Sequence, residues 1–131
     1  MDALWEAAAK AGDTASLAAQ LAVGAPIDSR DRFGQTGLML AAMFGRIEAV
    51  ELLIRAGAAL DATAKFGLSA TMLAVVNGHE AVAIALAQAG ANLRLVGSGA
   101  PGFAGKTAAQ LAELRGLNQL AAALKPRSPG A

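Results

Sequence analysis

Residues 100–107 read APGFAGKT and match the relaxed phosphate-loop pattern of a small residue, four arbitrary residues and Gly-Lys-Thr. In such a loop backbone amides cradle the phosphates, the Lys reaches the outer phosphates and the Thr hydroxyl ligates magnesium. That chemistry needs a buried strand before the loop and a long helix after it. Here Ala100 stands where the first Gly is usual, LRLV at 93–96 has no parallel partner strand, and the helical segment after Thr107 is short. His79 is the single histidine and there is no cysteine, so neither a thiolate site nor a histidine-rich metal site can be built. Glu48 and Glu51 lie three apart, yet Glu48 also meets Leu52 and Arg55 at helical spacing, which reads as a solvated face. No combination completes a catalytic constellation. The expectation is a protein that is not an enzyme, with no catalytic, cofactor or metal residues; nucleotide binding through Lys106 stands as an alternative.

The elements that would have to position such groups are bounded by composition. A chain of 131 residues supports one domain with a core but is short for a complete nucleotide-hydrolysing α/β domain. Hydrophobic residues make up 55% and aromatic residues only 4%, with Ala abundant, which favours small, closely spaced helices. A net charge of +1 predicts no general attraction to nucleic acid or to an anionic membrane. The start, MDALWEAAAKAGD, is acidic early and does not read as a signal peptide. The longest apolar run, GLMLAAMFG at 37–45, falls far below the roughly 20 residues that cross a bilayer. A soluble cytoplasmic protein is expected.

The glycines supply a ruler. Gly12, Gly45 and Gly78 are spaced by 33, as are Gly24, Gly57 and Gly90, and so are Gly34 and Gly67. The next member after Gly78 is Gly116, a spacing of 38, which puts extra residues within VGSGAPGFAG at 96–105. A fixed period of this size is the mark of a stacked repeat array. Thr36, Ser69 and Thr107 each precede a short helical stretch as N-caps, and Thr107 has capping-box spacing to Gln110. Leu38, Ala41 and Ala42 share one helical face, and Val50, Leu53 and Ile54 share the next. Trp5 reads as an N-terminal core anchor. Glu113, Arg115, Asn118 and Gln119 at one end, and Asp2, Glu6, Lys10 and Asp13 at the other, read as polar caps.

The segment DRFGQTGLMLAAMFGRIEAVELLIRAGAALD at 31–61, laid over AKFGLSATMLAVVNGHEAVAIALAQAGANLR at 64–94, resembles the ankyrin repeat family. The likeness is carried by Asp31, Gly34, Thr36, Leu38, Ala41, Ala42, Gly45, Leu53, Ile54, Gly57 and Ala58, and in the following unit by Gly67, Ser69, Ala74, Gly78, His79, Leu86, Gly90 and Ala91. Gly37, Ala70 and Ala108 replace the family's Pro, and Met39, Met72 and Gln110 its His, so the usual Thr–His hydrogen bond cannot form. The alanine-rich, cysteine-free composition resembles bacterial members. The likeness implies an all-α solenoid of about four helix-turn-helix units with β-turn fingers, at 1–30, 31–63, 64–96 and 97–124, with the outer units as caps and a disordered tail at 125–131.

It also implies a protein-binding module whose concave surface is lined by the fingers and the first helix of each unit. The candidate partner-binding residues are Arg32, Phe33 and Gln35, then Met43 and Phe44, then Lys65, Phe66 and Leu68, then Val76 and Asn77, with Phe103 and Lys106 in the enlarged finger. On this reading Phe33, Met43, Phe44, Phe66, Leu68 and Val76 form an apolar column, and a large apolar patch marks an interface. Arg30, Arg32, Lys65 and Lys106 rim it, with Asp28, Asp31 and Asp61 nearby. The expected partner is another protein, including an enzyme covered in the manner of an inhibitor or immunity protein, and neither nucleic acid nor membrane. Closure of the apolar face on a second copy, giving a homo-oligomer, is the alternative.

Overall fold

The 33-residue period becomes paired helices in the computed structural model, which describes residues 1–99 and 102–126. Among these residues eight α-helices follow in order: α1 Ala3–Ala11, α2 Thr14–Ala22, α3 Gly37–Met43, α4 Ile47–Arg55, α5 Ala70–Val76, α6 Glu80–Gln88, α7 Ala108–Leu114 and α8 Asn118–Leu124. Consecutive helices pair, α1 with α2 through α7 with α8. The first helices then stack as α1, α3, α5, α7, and the second as α2, α4, α6, α8. Among the described residues there is no strand, only isolated bridges at Arg30–Thr36, Thr63–Ser69 and Gly97–Ala104, which close the bases of the fingers.

Local chemistry sets the helix starts. The Thr36 hydroxyl accepts from Met39 N at 3.3 Å and Ser69 from Met72 N at 3.2 Å. Thr107 and Gln110 form the full capping box. Met39 and Met72, in the positions of the absent His, are buried and serve as plain core. The core runs unbroken from Trp5 and Leu17 through Leu38, Leu53, Leu73 and Leu86 to Leu120 and Leu124. Each such side chain contributes about 1.5–3 kcal/mol when buried.

Two glycines record close approaches between neighbouring pairs. A Cβ on Gly37 would lie 2.6 Å from Trp5 Nε1, so glycine in the place of the usual Pro leaves room for the indole. Gly45, past the end of α3 with φ 72°, lies so close to the His79 ring that a Cβ would sit 2.5 Å from Nδ1. Arginines of the following unit approach Gly12 and Gly78 in a similar way. Arg46 Nε donates to Lys10 O at 2.8 Å, and Arg115 Nη1 donates to Val76 O at 2.8 Å. A cationic donor from the second and from the fourth unit thus meets the carbonyl-rich end of the preceding first helix, where positive charge is favoured. Asp28 and Asp61 add rungs on the same period, accepting from Ala59 N at 2.9 Å and Asn92 N at 2.7 Å.

The four polar residues expected at the N-terminal end are also engaged locally. Asp2 accepts from Leu4 N and Asp13 from Ser16 N as N-caps of α1 and α2, and Glu6 pairs with Lys10. Leu4 and Val23 are left 71% and 86% exposed there. The expected tail at 125–131 lies, from residue 127 on, outside the described residues.

Candidate protein-binding surface

The finger between α2 and α3 is a tight turn organised by one carboxylate. Asp31 Oδ1 accepts from Phe33 N and Gln35 N, both at 2.9 Å, while Asp31 N donates to Gln35 O at 2.9 Å. Satisfying these amides inside the turn pushes the intervening side chains outward, and Arg32 and Phe33 are exposed. The Arg32 guanidinium lies 5.1 Å from the Phe33 ring centroid, a cation–π contact. Arg30 fixes the finger to its neighbour, its Nη1 donating to Gly34 O at 2.7 Å and to Thr63 O at 2.8 Å.

Between this finger and the first helices lies an open cavity of about 370 Å³, within the range of ligand clefts. Arg32, Phe33, Gln35, Met43 and Phe44 line it, so five of the predicted residues are brought together. Its remaining wall holds Glu6, Lys10 and Asp31, with Leu40 and Met1. Lys10 Nζ and Glu6 Oε1 are 2.9 Å apart, a pair whose i,i+4 spacing was already visible in the sequence. Leu40 and Met1 carry no such signal. Phe33 and Phe44 remain 56% and 44% exposed, the largest apolar groups at this opening.

The next finger repeats the theme with one change. Lys65 Nζ lies 5.1 Å from the Phe66 centroid, as Arg32 does for Phe33 one period earlier. Phe66, however, has φ 65°, a conformation uncommon for a bulky side chain. It is held there from the enlarged finger: Ser98 N donates to Phe66 O at 2.7 Å, and the Phe103 ring lies 6.2 Å away, tilted by 42°. The apolar column is therefore not continuous. Phe33, Met43 and Phe44 gather at one cavity, while Phe66 turns to Phe103, itself half-buried against the core.

A family model of ankyrin repeats, in three copies, matches residues 4–96. The chain belongs to the ankyrin repeat family. A search of the curated proteins finds no match. Ankyrin repeats are general protein–protein interaction modules, and the fourth helix pair, beyond the matched span, continues the same stack.

Within the ankyrin register one predicted contact residue is corrected. Leu68 is 8% exposed and belongs to the core, because its carbonyl accepts from Ala64 N across the finger base and its side chain turns inward. Val76 is half-buried against the core, and Asn77 is exposed but donates through Nδ2 to Leu73 O at 2.8 Å. Lys106 lines a separate cleft of about 340 Å³ with Gln110, Glu113 and Leu114. The Thr107 hydroxyl, which a phosphate loop would give to magnesium, accepts from Gln110 N at 3.3 Å as the cap of a seven-residue helix. Ala100 and Pro101, the start of that motif, lie outside the described residues. Among the described residues no helix is long and apolar enough to cross a membrane.

Proposed function

We propose that this ankyrin repeat protein is a non-enzymatic cytoplasmic module that binds a partner protein through its concave face and fingers. The reading rests on the cavity beside Phe33 and Phe44, where two exposed aromatic rings flank a concave, mixed-polarity opening. Aromatic anchors in a pocket with a polar rim are what concentrates binding energy at interfaces. An inhibitor or immunity-type role, in which the groove covers part of an enzyme, is the narrower form of the same reading.

The test is affinity capture from source-cell lysate with the natural chain and with a Phe33→Ser/Phe44→Ser variant. Both rings are partly exposed, so the variant is expected to keep its helical circular dichroism. A partner captured by the natural chain and lost with the variant supports the groove. Capture of the same set by both variants refutes it.

A further inference from the structure

The charges around the groove are sorted by direction, although the chain as a whole is nearly neutral at +1. Four of the acidic groups around it are engaged internally. Asp28 and Asp61 accept from amides of the following unit, Asp31 from two amides of its own turn, and Glu6 is paired with Lys10. The cations Arg32 and Lys65 are exposed, form no ion pair among the described residues, and lie over Phe33 and Phe66 at the finger tips. A cation on a ring keeps its full charge and loses little hydration, so it remains available to a carboxylate.

We propose that the groove's occupant is an acidic, extended protein segment. Its carboxylates, three residues apart, meet Arg32 and Lys65, while an apolar side chain enters the cavity between Phe33 and Phe44. This rests on the groove reading above and adds the chemistry of the partner. The spacing follows from the repeat. Adjacent packed helices stand roughly 8–10 Å apart, and an extended polyproline-II segment returns to the same side after three residues, about 9 Å. A nucleic acid fits less well. The phenyl faces toward the tips are covered by their own cations instead of being open to the base stacking that single-stranded nucleic acids use.

The experiment is selection of a displayed library of short random peptides on the natural chain, on Arg32→Glu/Lys65→Glu, and on Phe33→Ser/Phe44→Ser. The natural chain is expected to enrich peptides with Asp or Glu at i and i+3 beside a Leu, Phe or Trp. Charge reversal is expected to abolish that acidic bias and to weaken an individual enriched peptide by about tenfold in fluorescence anisotropy. The natural interaction should also weaken as salt rises. No acidic enrichment, or enrichment unchanged by charge reversal, overturns the proposal. If the Ser variant still abolishes selection in that case, the groove reading stands and only the charge rule fails. If neither variant matters, both fail. An oligothymidine that binds as tightly as the enriched peptides also overturns it, by showing that the tips bind any polyanion.

Discussion

Replacing Gly45 by Ala isolates the contact that locks the second helix pair to the third. Two costs add. The glycine has φ 72°, where an Ala side chain carries a backbone penalty of about 1–2 kcal/mol. The new Cβ would then lie 2.5 Å from His79 Nδ1 and 2.7 Å from Cε1, and relieving such overpacking costs about 1–3 kcal/mol. The sum is about 2–5 kcal/mol, a large part of the roughly 5–15 kcal/mol that holds a domain folded. Gly116 is the control, because it occupies the matching place after α7 with φ 74° and nothing within 4 Å of its Cβ position. Gly116→Ala should therefore lose only the backbone part, about 1–2 kcal/mol. Urea unfolding followed by circular dichroism and by the fluorescence of Trp5, the single tryptophan, gives both values. In a His79→Ala background the cost of Gly45→Ala should fall to that of Gly116→Ala, leaving a coupling energy of about 1–3 kcal/mol. Equal costs for the two glycines in the natural background, or a Gly45→Ala cost unchanged without His79, would refute the contact as the cause.

Gly37→Ala should press on the buried Trp5 ring, where the Cβ would meet Nε1 at 2.6 Å; a loss of about 1–3 kcal/mol and an altered tryptophan emission maximum are expected, and an unchanged spectrum would count against that packing. Phe66→Gly removes the strain of φ 65°, about 1–3 kcal/mol, but also the Phe103 pair, about 0.5–1.5 kcal/mol. Glycine also adds about 0.4–1 kcal/mol of unfolded-state entropy, so stability in urea should stay close to that of the natural chain, and a loss above about 2 kcal/mol would show that the ring contacts outweigh the strain. Thr107→Ala should lower stability by about 1 kcal/mol through the lost cap, while nucleotide with magnesium leaves the melting temperature of the natural chain unmoved; a rise of several degrees would reinstate the phosphate-loop reading.

Much of the fold was legible because its signals are local. The caps Thr36, Ser69 and Thr107 are set by hydroxyl chemistry within one turn, and the 33-residue glycine series marks where each helix pair ends. The cluster of Arg32, Phe33, Gln35, Met43 and Phe44 was legible for the same reason, since one finger and the helix after it present those side chains together. Leu68 was misplaced because its register partner Gln35 is polar and half-buried, which made the position look like surface. The turn of Phe66 depends on the path of the enlarged finger, which brings Ser98 and Phe103 alongside. No pattern within one unit contains that information. Asp2 and Asp13 could also have been read as N-caps from their positions before α1 and α2.

The same inter-unit bonds that stabilise the stack also bear on how it would bind. A finger that had to be ordered by its partner would subtract that ordering cost, about 0.5–1.5 kcal/mol per immobilised side chain, from the affinity. Here Arg30 ties the Arg32–Phe33 finger to Thr63 O of the next, and Ser98 ties the Lys65–Phe66 finger to the enlarged one. Arg46 and Arg115 bond the ends of α1 and α5, so the first helices that form the groove floor are held against sliding. Cutting the Arg30 tie should therefore weaken a peptide bound at Phe33 although Arg30 need not touch it. Arg30→Ala is expected to slow association, because the binding-competent finger is then only part of the population, whereas Arg32→Ala, which removes a contact, should chiefly speed dissociation. Stopped-flow anisotropy with an enriched peptide separates the two, and identical kinetic signatures would show that the finger is not preorganised by its neighbour.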